Sequence, residues 1–296
     1  MFEIIPMDAP LGAEVVGLDL NRDRDEPALR ALLTAFHHHQ VLVIRDQQAL
    51  DAASFVALAL ALGRPQPHIL THMRHPEHPE ILFLSNVFRD GKPIGVYDGA
   101  AYWHTDMSYE AEPGTTTMVH CLQTPPGGGD TRFANMVAAY EALSDDMKAR
   151  IDDLTVLHHY GNRQDPVEGA GSRTAASPLT EAQRRQVKNY FHPLVMRHPV
   201  TGRKALYGVS GSSFGIVGMD DAAATALLDE LAAHATREQF IYSHRYRVGD
   251  VVLWDNLSTL HSASLIDPAT GPEDSRLLHR ISVKGLAPIL QDAAGA

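Results

Sequence analysis

Runs of strand character stand at both ends of this chain, helical stretches lie between them, and no Pro/Gly/Ser-rich linker divides it cleanly. Strands need partners, so sheets here must be assembled from distant parts of the sequence, which implies one α+β domain over residues 1–296. Length alone would admit two domains, but it is a soft prior. The early strand candidates are residues 14–20 and Val41–Ile44; the late ones are 240–247, 250–254 and 276–285. Between them, Glu26–His39 carries Leu29, Leu32, Leu33 and Phe36 at helical spacing. Residues 51–62 read as a second helix, with Asp51 as its N-cap and Gly63 just past its end. Residues 137–151 and 220–235 are further helices, and 81–84 is a buried strand. Residues 115–136 form two strands around a Pro-Pro-Gly-Gly-Gly turn. Residues 161–189, polar and glycine-punctuated, are expected to be a lid or insert, and 287–296 a flexible tail.

Composition narrows the function classes. With 44% hydrophobic and 21% charged residues the chain has the apolar content to bury a core, unlike a disordered one. No stretch approaches the roughly 20 apolar residues of a membrane span. The N-terminus shows no basic segment followed by an apolar run. The only cysteine is Cys121, which excludes an internal disulfide and makes the cytoplasm the expected compartment. A net charge of −11 argues against nucleic-acid binding, which needs a basic face. The 17 histidines against one cysteine favour nitrogen and oxygen metal ligands over thiolates.

Three segments carry chemistry. In Trp103-His104-Thr105-Asp106, an extended chain would point His104 and Asp106 to one face, where imidazole and carboxylate can meet one ion. By itself, His-x-Asp is more often a surface hydrogen-bonding pair. The apolar run 250–254, followed by Asp255, Asn256 and then His261, adds a second histidine. Two histidines and a carboxylate are the facial triad of mononuclear iron(II) oxygenases, with zinc as the rival ion. Third, Arg276 and Arg280 are an even step apart on a strand and share a face. Facing inward they require anionic partners; facing outward they are solvated arginines.

The chain resembles the taurine and alkylsulfonate dioxygenases and their relatives acting on alkyl sulfates and aryloxyalkanoates. The resemblance runs from Gly12 to Gly285 and is strongest at 103–106, 126–131, 138–144, 192–195, 198–199 and 254–256. It implies a double-stranded β-helix (jelly-roll, cupin-like) core with flanking helices. It also implies Fe(II), 2-oxoglutarate as co-substrate and O2, with succinate and CO2 as co-products of C–H hydroxylation. His104, Asp106 and His261 match the metal ligands, and Thr131 with Arg276 match the residues holding the distal carboxylate of 2-oxoglutarate. His68 and Arg280 match the residues receiving a substrate anion. The chain departs from the taurine enzymes at Ala100, Thr71 and Arg163, where they carry asparagine, tyrosine and serine. With Tyr102, Tyr109 and Arg163 near the site, the expectation is a small anionic substrate larger or more acidic than taurine. A homo-oligomer, dimer or tetramer, is implied as well. The alternatives are a zinc-dependent hydrolase on the same three ligands and a non-catalytic 2-oxoglutarate-binding regulator.

Overall fold

The computed structural model describes residues 2–97, 101–160 and 188–294. The expected lid or insert at 161–189, apart from its last two residues, lies outside the described residues, as do Ala100 and Arg163. No helix among the described residues is long and apolar enough to cross a membrane.

The chain folds as a mixed α/β structure whose largest sheet has eight strands. Its order is Glu3–Pro6, Ala13–Val16, Val41–Ile44, Val251–Asp255, Gly114–Gln123, Leu277–Lys284 and Arg64–Gln66, with Leu82–Ser85 also paired to Leu277–Lys284. Every pairing is antiparallel except that of Ala13–Val16 with Val41–Ile44. Strands from both ends of the sequence thus interleave, as the absence of a linker required.

Successive side chains point to opposite faces of this sheet and sort its residues into two cores. Leu42, Ile44, Met118, Val251, Leu253, Ile281 and Val283 pack beneath the helices Glu26–His39 and Ala52–Leu62 through Leu33, Phe36, Phe55 and Leu58. On the other face Val43, Val119, Val252, Trp254 and Leu278 meet Phe133 and Tyr246. Phe133 belongs to a second, three-stranded sheet, ordered Ile241–His244, Thr131–Asn135, Thr259–Ala263. A third core gathers Val156, Leu206, Ile216, Leu227 and Leu231 around the helix Asp221–Ala235.

Helix starts follow local chemistry. The side chains of Asp25, Asp51 and Asp220 accept from backbone N–H groups three residues on, satisfying donors that have no partner within the helix. Two expectations are corrected. Residues 137–151 are not one helix but two, Met136–Glu141 and Asp145–Ile151. Ser144 takes up an extended backbone and caps the second, accepting from Met147 N. Residues 287–296 are not a free tail from their start, because Pro288–Ala294 is helical and Ile289 and Leu290 pack against the first core.

Candidate active site

His104 and His261 are brought together by a single antiparallel bridge, in which each backbone N–H donates to the other's carbonyl at 2.9 and 2.8 Å. Their rings lie 4.1 Å apart between centroids. Asp106 completes the group: its carboxylate oxygens are 3.8 Å from His104 Nε2 and 3.6 Å from His261 Nε2. Strand alternation is not what brings His104 and Asp106 together, since Asp106 begins a turn and Met107 beyond it is left-handed at φ 58°. Tertiary hydrogen bonds aim the carboxylate instead. The Thr117 hydroxyl donates to Asp106 Oδ2 at 2.6 Å and accepts from Asn256 Nδ2 at 2.9 Å. Asn256 Oδ1 in turn accepts from the Asp106 backbone N–H at 3.3 Å.

These residues suit a divalent metal. His104 Nδ1 is 2.8 Å from the Tyr102 carbonyl, which can only accept, so Nδ1 carries the proton and Nε2 keeps its lone pair toward Asp106. Burial lowers the pKa of His104, and burial together with His104 pulls that of His261 well down, which favours the neutral imidazoles that a metal site needs. Burial alone would raise the Asp106 carboxyl, but Arg280, His261, His104 and the Thr117 hydroxyl outweigh it and hold the group well below the usual carboxylate range. Gly211 admits close packing here: at φ +75°, a Cβ on it would stand 2.7 Å from His104 Cβ.

Above His104, Asp106 and His261 opens a cavity of about 590 Å³ as bounded by the described residues. Thr131, Tyr246 and Arg276 stand in its wall, as do His68, Tyr102, Tyr109 and Arg280, with Leu70, Leu84 and Val96 as apolar surface. The sequence-derived pocket residues therefore converge, apart from Arg163, which falls outside the described residues. Arg276 is 5% exposed, and among the described residues no carboxylate lies within ion-pair distance of its guanidinium. Its Nε has no hydrogen-bond partner, and burial lowers its pKa. Gly129, at φ +74°, makes room for it, since a Cβ there would lie 2.8 Å from Arg276 Cδ. Arg280 contacts Asp106 Oδ1 at 2.5 Å. Burial and then Arg280 depress the His68 pKa to about 4, so this imidazole is uncharged at neutral pH. Tyr102 packs 4.9 Å from the His104 ring, and Tyr109 meets Tyr160 edge-on at 4.7 Å. Thr71 is exposed, at the start of a short 3-10 turn.

Sequence reasoning missed three contributors. Thr117 and Tyr246 gave no signal, because an isolated threonine or tyrosine on an apolar strand is ordinary. Asn256 stood in a recognisable block but without a role. A second His/Asp/His group, His37, His198 and Asp255, was also missed. It is structural: His198 Nδ1 accepts from two backbone N–H groups, so Nε2 carries the proton and donates to Asp255 at 2.7 Å. That leaves His198 no lone pair for a metal.

A sheet-enclosed cavity with a buried two-histidine, one-carboxylate floor defines a mononuclear metal-dependent enzyme. The family model described as "Taurine catabolism dioxygenase TauD, TfdA family" matches residues 3–282. The chain belongs to this family and is a non-haem Fe(II)- and 2-oxoglutarate-dependent dioxygenase. It is 34% identical to pentalenolactone F synthase of Streptomyces arenae over 273 residues, covering 90% of this chain and 91% of that protein. It is 30% identical to the alpha-ketoglutarate-dependent 2,4-dichlorophenoxyacetate dioxygenase of Cupriavidus pinatubonensis, covering 88% and 92%. Among solved structures, AAD-2 in complex with Mn(II) and N-oxalylglycine superposes with a TM-score of 0.77 at 28% identity, covering 96% and 97%.

Proposed function

We propose that His104, Asp106 and His261 hold the iron, that Arg276 and Thr131 receive the distal carboxylate of 2-oxoglutarate, and that Arg280 and His68 receive an anionic group of the primary substrate. The observation that carries this reading is Arg276: a buried guanidinium without a carboxylate partner among the described residues, opening onto the same cavity as the three ligands. Such a charge is costly unless an anion arrives to meet it. A zinc hydrolase would give Arg276 and Thr131 no task, and a non-catalytic regulator would not need the oriented ligand set. The facing eight- and three-stranded sheets, with Phe133 and Trp254 rings 5.5 Å apart between them, support a double-stranded β-helix core.

The bound iron, with 2-oxoglutarate and O2, supplies the oxidising power to hydroxylate a substrate C–H bond, leaving succinate and CO2. The chain's own residues do the positioning. Thr117 and Asn256 hold Asp106 in the orientation its ligand role needs. Because Arg280 lies against Asp106, an anion docked on it is brought beside the metal ligands. His68, being neutral, contributes hydrogen bonding while Arg280 carries the charge. The apolar wall at Leu70, Leu84 and Val96 excludes water and suits an organic anion with hydrocarbon bulk. Of the named relatives one is a 2,4-dichlorophenoxyacetate dioxygenase and another a pentalenolactone F synthase, and a small organic anion is the substrate class we propose for this chain.

The test is anaerobic. Iron(II) and 2-oxoglutarate added to metal-free protein should give a visible metal-to-ligand charge-transfer band. In Arg276→Ala the 2-oxoglutarate needed to develop it should rise by about 10- to 100-fold, the loss of one charge-assisted pair. Arg280→Ala should keep the band and instead weaken the band shift produced by candidate anions. No band in the wild-type protein overturns the reading, and reversed effects would mean that the two arginines have been exchanged.

A further inference from the structure

We infer that Tyr246 is a third reader of the co-substrate's distal carboxylate and a determinant of selectivity for 2-oxoglutarate. The inference rests on the co-substrate pocket proposed above. Tyr246 lies between the strands Ile241–His244 and Val251–Asp255, is 5% exposed, and is packed among Val43, Val252 and Phe133 in the core between the sheets. Its ring is therefore held by the core, and Tyr246 shares the cavity wall with Thr131 and Arg276.

Two contacts tie it to both residues. Its hydroxyl lies 2.9 Å from Thr131 Oγ1, and the Arg276 guanidinium carbon stands 5.6 Å from its ring centroid. The ring face gives a buried cation its nearest electrostatic compensation before an anion arrives. The hydroxyl pair has a further property, which follows from counting. Two hydroxyls carry two hydrogens, and the bond between them uses one, so the other remains to be donated. The phenol keeps its proton, because burial pushes its pKa up to about 12 even with Arg276 beside it. A carboxylate accepting from Arg276 has lone pairs left over, and the hydroxyl pair supplies a donor at that place. Tyr246 is thus placed to donate to the carboxylate directly, or to donate to Thr131 and so turn the Thr131 hydrogen toward it. In the first arrangement losing the phenolic oxygen removes the donor itself, and in the second it removes the bond that holds the Thr131 hydrogen toward the carboxylate.

The experiment is calorimetric titration of Mn(II)-loaded protein, without dioxygen, using 2-oxoglutarate and 2-oxovalerate, which has the same 2-oxo acid head but a methyl group in place of the distal carboxylate. Wild-type protein should prefer 2-oxoglutarate. Tyr246→Phe should weaken 2-oxoglutarate by about 10-fold, the loss of one hydrogen bond to a charged group, and leave 2-oxovalerate within about twofold. A general disturbance of the pocket would weaken both acids alike. Equal weakening, or none, overturns the role of Tyr246 while a preserved wild-type preference keeps the Arg276 pocket intact. A wild-type protein that does not distinguish the two acids overturns both. Mn(II) affinity, titrated separately, should be unchanged in Tyr246→Phe, and Thr131→Ala should show the same selective loss of 2-oxoglutarate. A Thr131→Ala variant without that selectivity also counts against the pair.

Discussion

Replacing Thr117 by valine isolates the hydrogen bonding that aims Asp106. Thr117 is fully buried, and valine has nearly its shape, so no cavity opens and the change is confined to one hydroxyl. That hydroxyl donates to Asp106 Oδ2 and accepts from Asn256 Nδ2. Losing the bond to the carboxylate costs about 1.5–3 kcal/mol, and leaving the buried amide N–H unmatched costs roughly 1–3 kcal/mol. Ser282 Oγ, 3.3 Å from Thr117 Oγ1, loses this hydrogen-bond partner as well. Urea unfolding of metal-free Thr117→Val should therefore show a loss of about 2.5–6 kcal/mol. The carboxylate also loses the contact that orients it, so Mn(II) affinity should fall by about 10- to 100-fold, the usual consequence of removing a partner of a metal ligand. Both are read on one protein preparation, by denaturation and by metal titration. A stability loss with unchanged metal affinity would refute the orienting role and make the hydroxyl merely structural. No change in either would mean that the bond contributes nothing.

Gly129→Ala places a Cβ against Arg276 Cδ and forces a side chain onto a left-handed backbone, so it should destabilise the fold by about 1 kcal/mol or more and weaken 2-oxoglutarate binding, as followed by calorimetry. Normal binding would show that the turn can move away from the guanidinium. Acid sensitivity should come partly from His158, whose pKa is pushed down to about 3 by burial and by His192. The unfolded chain, with an ordinary histidine, binds the proton first, so the stability is present above about pH 6.5 and is lost as pH falls toward 3; between pH 7 and 5 the loss is about 2 kcal/mol. His158→Leu should flatten the pH dependence of urea unfolding over that range by about this amount, and an unchanged slope would show that His158 is not its source.

Much of the fold was legible in the sequence because it depends on near neighbours. The helix Glu26–His39 starts where Asp25 can cap it, and Ala52–Leu62 where Asp51 can. The alternation of Val251, Val252, Leu253 and Trp254 sorts them to two faces whatever the sheet's other strands are. The same two-residue period put Arg276 and Arg280 on one face, and both do stand in the cavity wall. The site residues themselves came mainly from motif resemblance, and their mutual geometry was not contained in it. Asp106 reaches the histidines from a turn rather than a strand, held by Thr117 and Asn256 from two other segments. His104 and His261 meet through one bridge between distant stretches of chain. Tyr246 acquires its place only because Thr131 and Arg276 arrive beside it from separate segments of the chain. Local pattern determines which way a side chain faces, since that follows from backbone periodicity. Which side chains then meet depends on the register and packing of remote segments, and those are properties of the folded whole.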